Sequence, residues 1–478
     1  MKLFERVRHE SVIIAVIVLV VVGARLLSFA YLSSLASENP SANPYPIVVG
    51  DSLHYAQRAD NLLAFHAYED VPGTPLRAAP PGYPVLLAGI KVATGSMTPV
   101  VILQTLISIL ASVLIYRMAR TLVPISYALV PALLYAIDPM VVFSDTAVIT
   151  DSIFSALLVC TVYLAFFQSR VRGIVLWGSV GLLLGAATMI RPIAQFLVFV
   201  FPAVFLLRQW MSGRGEDENR LKAVCACVLA FALVVVPWMA RNQILFRSFE
   251  VSILSSHTLL IYDVRGFLAW RALGATPNPL SAILVMRRLN DPVFASVDKD
   301  IGERLAEITP PGEDPYNYKG KLAIRYIIHD PIRYAYFHAV NTIPFFLSSS
   351  IASYGQIESQ LRNNEGFFAP VTLSILETWN RIRNPESVRS FLSAVWSLAP
   401  TALEIFLWVL AGLAAFAAAV LRRRDFTIIL FAVLVMYFAA LTGPLSSSRY
   451  RIPAEPYLLI LASVGAHALV ERIREKMI

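Results

Sequence analysis

Asp51 opens the stretch Gly50-Asp51-Ser52-Leu53-His54-Tyr55, and a carboxylate there has two uses. It can cap a helix by accepting a hydrogen bond from a free amide of the first turn, or it can take a proton from a hydroxyl during group transfer. The residues after it follow a helical pattern to about His66: Leu53, Ala56, Ala59, Leu62 and Leu63 fall on one side, His54, Gln57, Arg58, Asp60 and Asn61 largely on the other. That pattern predicts an amphipathic helix lying at a membrane surface. His54 and Tyr55 stand one turn beyond Asp51 and can face the same cleft. The segment closes with Ala79-Pro80-Pro81-Gly82-Tyr83-Pro84, a turn in which proline fixes the backbone. Tyr83 joins His54 and Tyr55 as a candidate substrate contact.

A second set of carboxylates follows in Asp138-Pro139, Phe143-Ser144-Asp145 and Thr150-Asp151-Ser152. Asp151 stands at the mouth of an apolar run, where a charge is costly unless it faces the bundle or water; it too can be a helix cap. Asp145 is a candidate substrate contact. Carboxylates from different loops can converge on one cleft. Arginines stand at the same boundary, in Arg191-Pro192, Arg241-Asn242 and Arg449-Tyr450-Arg451. Basic residues are disfavoured on the outer side of a membrane, and the planar guanidinium fork suits phosphate. Any one of them is explained by lipid headgroups or snorkelling. As a group they point to an anionic, lipid-linked ligand.

The elements that must position these residues are membrane helices. The chain has 478 residues, 57% hydrophobic and 15% charged, with a mean hydropathy of +0.64. Continuous apolar runs exclude a barrel, whose strands alternate. Spans are expected near 11–31, 99–118, 124–143, 151–168, 173–190, 192–208, 222–240, 398–420, 426–443 and 454–470, giving about ten. Arg117 and Arg120, Arg170 and Arg172, the stretch from Arg208 to Lys222, Arg422 to Arg424 and the Arg472 to Lys476 tail then fall on one side. By the positive-inside rule that side is cytoplasmic, together with both termini. The runs 82–94 and 366–376 are too short to span, and counting the marginal run 334–350 as a span would put Arg422 to Arg424 outside; all three are expected as interfacial or re-entrant helices on the outer side. Three parts result: a membrane module, 1–240, with a catalytic loop at 35–97; a large non-cytoplasmic region, 241–396; and closing helices, 397–478.

The net charge of +8 resides in short connectors rather than in a basic stripe, which argues against a nucleic-acid partner. Cys160, Cys225 and Cys227 lie within apolar runs and read as small core residues.

In order and placement these motifs resemble the GT-C glycosyltransferases, in particular the protein O-mannosyltransferase and lipid A aminoarabinose transferase group. The resemblance runs over about residues 10–470 and rests on Asp51 with Tyr55, Pro80-Pro81-Gly82-Tyr83-Pro84, Thr150-Asp151, Gly181 and Gly185, Arg191-Pro192, Pro237-Trp238, Arg241-Asn242 and Arg449-Tyr450-Arg451-Ile452-Pro453. It implies an all-α polytopic GT-C-like bundle with outer interfacial helices. It also implies an enzyme of the cell (inner) membrane that moves a monosaccharide from a polyprenyl-phosphate donor to a glycan, lipid or protein acceptor on the non-cytoplasmic face. Asp51 is the implied base, Asp151 the second acid, and Arg191, Arg241, Arg449 and Arg451 the donor-phosphate contacts. Direct displacement would invert the anomeric centre. A divalent cation is allowed but unassigned, because Asp151 stands where Glu is common and Ser52 where some relatives carry a second acid. The rivals are a transporter or flippase, which would show repeats and polar broken helices at mid-membrane, and an oligosaccharide ligase or polymerase.

Overall fold

With no water in a bilayer core, the backbone must satisfy its own hydrogen bonds, and a helix does so segment by segment. The computed structural model describes residues 2–39, 45–48, 50–71, 73–76, 79–168, 173–211, 218–274, 282–283, 285–286, 292–363 and 388–477. The expected interfacial run 366–376 lies outside them. The first part comprises α1 (Lys2–Glu38), α2 (Asp51–Phe65), a hairpin of β1 (Glu69–Val71) and β2 (Thr74–Pro75), α3 (Gly82–Thr94), α4 (Val100–Arg120), α5 (Ile125–Ile137), α6 (Pro139–Thr146), α7 (Asp151–Phe166), α8 (Gly173–Ile190), α9 (Leu197–Met211) and α10 (Glu218–Phe246). Then come α11 (Arg265–Ala272), α12 (Pro292–Ile308), α13 (Lys319–His329), α14 (Pro331–Asn341), α15 (Ile343–Leu347) and α16 (Ser350–Asn363). The chain closes with α17 (Val388–Leu421), α18 (Phe426–Thr442), α19 (Ser448–Arg451) and α20 (Glu455–Met477).

Eight helices among the described residues are long and apolar enough to cross a membrane, or nine if the bent pair α5–α6 is one span. The expected single run 124–143 breaks at Asp138-Pro139 with a bend of 53°. Pro139 lacks an amide hydrogen and Asp138 caps the new helix, its Oδ1 accepting from the amides of Met140 at 2.8 Å and Val141 at 3.1 Å. α7 has 16 residues, which at about 1.5 Å each fall short of a hydrocarbon core of about 30 Å. The expected count of about ten is therefore eight full helices, a bent one and a short one. The runs 82–94 and 334–350 do form short helices, α3 and the α14–α15 pair.

A buried ion pair crosses the first half of the bundle. Arg25, 2% exposed, donates from Nε and Nη2 to Oδ2 of fully buried Asp145 at 2.8 and 2.6 Å, to Ser108 Oγ at 3.0 Å and to the Ala136 carbonyl. It thereby joins α1, α4, α5 and α6, and ionisable groups do lie inside the bundle as well as at its mouths. Further along, α8 and α10 meet at Gly181 and Gly185. A Cβ at Gly181 would strike the Cys227 carbonyl and one at Gly185 the Val234 side chain, the small-residue contact that lets membrane helices approach closely.

Smaller cores complete the frame. Ala56, Ala59, Tyr83, Leu87, Val100, Val148 and Ile153 pack together, which seats α2 and α3 on the N-terminal ends of α4 and α7. In the 242–396 region Phe267, Trp270, Phe294, Leu322 and Phe337 share a separate core.

Candidate active site

Four short stretches, far apart in sequence, end at one place. Gly50 has φ 88° and ψ −133°, a conformation only glycine adopts without strain. It makes Asp51 the first helical residue of α2, with no side-chain cap bond at Gly50. Asp151 is likewise the first residue of α7, after Thr150, again with no side-chain cap bond. The cap readings of Asp51 and Asp151 are therefore not what the structure shows. Each carboxylate instead stands in the first turn, where the helix dipole favours negative charge. Arg191 is extended (φ −138°, ψ 118°) because the following Pro192 disfavours the helical region. Arg449 comes from α19, the four-residue helix between the last two long helices.

Arg449 bridges the two acids. Its Nη2 donates to Asp51 Oδ2 at 2.8 Å and its Nε to Asp151 Oδ2 at 3.0 Å. Arg191 Nη1 donates to the other oxygen of Asp151. The guanidinium of Arg191 also lies over the rings of Phe154 and Tyr450, at 5.7 and 5.6 Å. Asp151 is fully buried, whereas the Asp51 side chain is 54% exposed. The Arg449 guanidinium holds the Asp51 carboxyl below the usual carboxylate range, against an opposing effect of burial, with Arg191 and His54 adding to the lowering. Burial pushes the Tyr55 phenol up. Tyr450 is raised by the same cause. Both phenols stay protonated and can donate.

Asp51, Asp151, Arg191 and Arg449 are thus brought together, with Tyr55 and His54 beside them. The other expected contacts stand elsewhere, each for a physical reason. Asp145 is fully buried and paired with Arg25 through Oδ2, out of reach of a substrate. Tyr83 is fully buried: its ring meets Tyr55 edge-on at 5.2 Å and its hydroxyl donates to Gln104 Oε1 at 2.8 Å. It supports Tyr55 from behind. Arg241 donates to the carbonyls of Leu76 at 3.0 Å and Tyr68 at 3.2 Å and stacks on Trp238 at 4.6 Å. It ties down the hairpin of the first loop rather than facing Asp51. Arg451 is fully buried, donating to the Ser348 carbonyl at 2.8 Å and Ser350 Oγ at 3.2 Å, with Trp408 beneath it at 3.8 Å. Two residues apart on a helical turn, Arg449 and Arg451 project about 200° apart and cannot both reach one phosphate.

A resident divalent cation does not fit this arrangement. Asp51 and Asp151 already hold two guanidinium groups, and no cluster of three or more His, Cys, Asp or Glu able to hold a metal occurs among the described residues.

Two further residues contribute. Tyr450, between the two arginines of its motif, presents its ring to Arg191 at 5.6 Å. Gln104 is fully buried in α4 and donates to the carbonyls of Ser144, Asp145 and Ala147 at 3.2, 2.9 and 2.9 Å, fixing the loop before Asp151. A lone amide inside an apolar span was the signal that marked it.

Residues 78–240 match the family described as dolichyl-phosphate-mannose-protein mannosyltransferase, a stretch that contains Tyr83, Asp151 and Arg191. No curated protein matches the chain. Among solved structures, the archaeal oligosaccharyltransferase AglB from Archaeoglobus fulgidus, in complex with an inhibitory peptide and a dolichol-phosphate, is similar at 10% identity and a TM-score of 0.39, over 98% of this chain and 52% of that one. The chain spans about half the length of that protein. The match over residues 78–240, less than half of the chain, is to a family of membrane mannosyltransferases, in keeping with the resemblance of its motif order to the GT-C glycosyltransferases.

Proposed function

We propose that the protein transfers a monosaccharide from a polyprenyl-phosphate donor to an acceptor hydroxyl, with Asp51 as general base. The observation that carries this reading is the bridge of Arg449 between Asp51 and Asp151, which sets a half-exposed carboxylate beside a cation suited to phosphate. In the reaction the acceptor oxygen bonds to the anomeric carbon as the bond from that carbon to the phosphate oxygen breaks. The electron pair leaves with the phosphate, and the hydroxyl proton passes to Asp51. The products are the glycoside, inverted at the anomeric centre, and polyprenyl phosphate.

Arg449, with Arg191 behind it, stabilises the charge that gathers on the leaving phosphate. Asp151 holds both arginines in place. Tyr55 and Tyr450 supply phenol hydrogens for sugar or phosphate oxygens, and His54 lines the entrance. The basic connectors support assigning this end of the bundle to the non-cytoplasmic face of the cell membrane, and the 242–396 region is assigned to recognition of a glycan, lipid or protein acceptor.

The test is transfer of a radiolabelled sugar from a polyprenyl-phosphate donor by membranes that contain the protein. Wild type should label an endogenous acceptor and Asp51→Asn, expressed equally, should not. Labelling by the variant at the wild-type rate rejects Asp51 as the base.

A further inference from the structure

We propose that Arg449 is a shared grip: without donor it holds Asp51, and an entering lipid-linked phosphate takes the place of Asp51 on its Nη2 edge and so releases the carboxylate for proton transfer. The proposal rests on the reading of Asp51 as the base and adds when that base becomes available.

The two carboxylates on Arg449 are not equivalent. Asp151 is fully buried and held by both Arg449 and Arg191, whereas Asp51 is 54% exposed and is paired through Arg449. An anion arriving from solvent therefore meets Asp51 as the replaceable partner. A half-exposed ion pair is also weak, so a phosphate offering several acceptor oxygens can displace it.

The charges close. Asp51 and Asp151 against Arg191 and Arg449 sum to zero, and the resting site attracts little. Once phosphate occupies Arg449, Asp51 stands beside a like charge and without its strongest partner. Gaining the acceptor's proton relieves that repulsion, so donor binding both frees the base and strengthens it. Arg449 is the leading cause of the lowered Asp51 carboxyl, in keeping with such a release. The other groups that face Asp51 are Arg191, His54, Asp151, Tyr55 and Tyr450, and none of them need move.

The exchange makes an unusual demand: removing the charge of the base should tighten binding of the phosphate. Polyprenyl monophosphate is titrated into purified wild type, Asp51→Asn and Asp51→Asn/Arg449→Gln in detergent, with thermal unfolding as the control for fold. Asp51→Asn should bind about fivefold more tightly than wild type, the release of roughly 1 kcal/mol, and the double variant should lose that gain. Unchanged or weaker binding by a folded Asp51→Asn overturns the exchange. Should Asp51→Asn destabilise the fold, Asp51→Ser serves the same comparison.

Inorganic phosphate and a short-chain phosphatidylglycerol are parallel probes. An equal gain with inorganic phosphate supports exchange through the anion alone. A gain with phosphatidylglycerol but not with polyprenyl phosphate overturns the assigned ligand. Sugar transfer is scored separately. Lost transfer without tighter binding removes the exchange and leaves the base; tighter binding with transfer intact removes the base and leaves the exchange.

Discussion

The molecule holds two arginine–aspartate arrangements of the same chemical type in different settings. Arg25 and Asp145 are 2% and 0% exposed, and the arginine's donors also reach Ser108 and a carbonyl. Arg449 and Asp51 are 13% and 54% exposed, and their bond shares its cation with a second acid. In the first, each charge tolerates burial because its partner is fixed, and removing one leaves the other stranded. In the second, water reaches the acid and the partner is exchangeable. A buried charge pair therefore marks architecture, and a half-open one with a shared cation marks a place where a ligand can enter.

The strongest challenge to this contrast is Asp51→Asn. It should lower sugar transfer by about 10²–10⁴-fold, the usual worth of a general base, with thermal stability close to wild type. A transfer rate within a few-fold of wild type would make the half-open pair as architectural as the sealed one.

Arg25→Ala tests the other side. Breaking the sealed pair should cost about 3–5 kcal/mol, seen as a lower unfolding temperature and poor yield. Arg25→Met combined with Asp145→Leu should regain part of it, since two apolar groups leave no stranded charge. A single variant of full stability would show that the interior tolerates a lone carboxylate there.

Smaller effects sharpen the boundary. Tyr83→Phe leaves Gln104 Oε1 without its 2.8 Å donor and should destabilise by about 1–3 kcal/mol. Its effect on transfer should follow the loss of folded protein; a selective rise in donor KM at full stability would return Tyr83 to the binding site.

The smallest effect is on pH. The Asp51 carboxyl is held low in the free protein by Arg449, so it stays ionised, and its pairing persists, until the pH falls through that lowered value. The acid limb of kcat/KM, which reports the free enzyme, should therefore lie at lower pH than the limb of kcat, which reports the donor complex. Coincident limbs would argue that phosphate leaves Asp51 as it found it.

Much of this was legible in the sequence. Long apolar runs announce the spans, and helical spacing alone puts Asp51, His54 and Tyr55 on one face. Convergence of Asp51, Asp151, Arg191 and Arg449 was anticipated only as a group of charges at one boundary, since nothing local tells which arginine turns toward which acid. For Arg449 and Arg451 the helical repeat would have separated them, had α19 been recognised as a helix. Arg241 misled because cation–carbonyl bonds to a distant loop leave no trace in local sequence. Asp145 misled because its partner, Arg25, lies 120 residues away. The break at Asp138-Pro139 was readable in principle, since Asp before Pro is a helix-start signal, but the apolar run across it dominated.

The shortness of α7 bears on how a lipid substrate reaches the site. Its 16 residues rise about 24 Å, against a hydrocarbon thickness of about 30 Å. Most of its length is buried among other helices, so thinning of the surrounding bilayer does not absorb the mismatch. Asp151, held by its two arginines, is the first residue of this short helix, so under the proposed topology it sits deeper than the end of a full-length span. For the proposed donor, that depth would let a polyprenyl chain lying in the acyl layer present its phosphate sideways, without leaving the membrane.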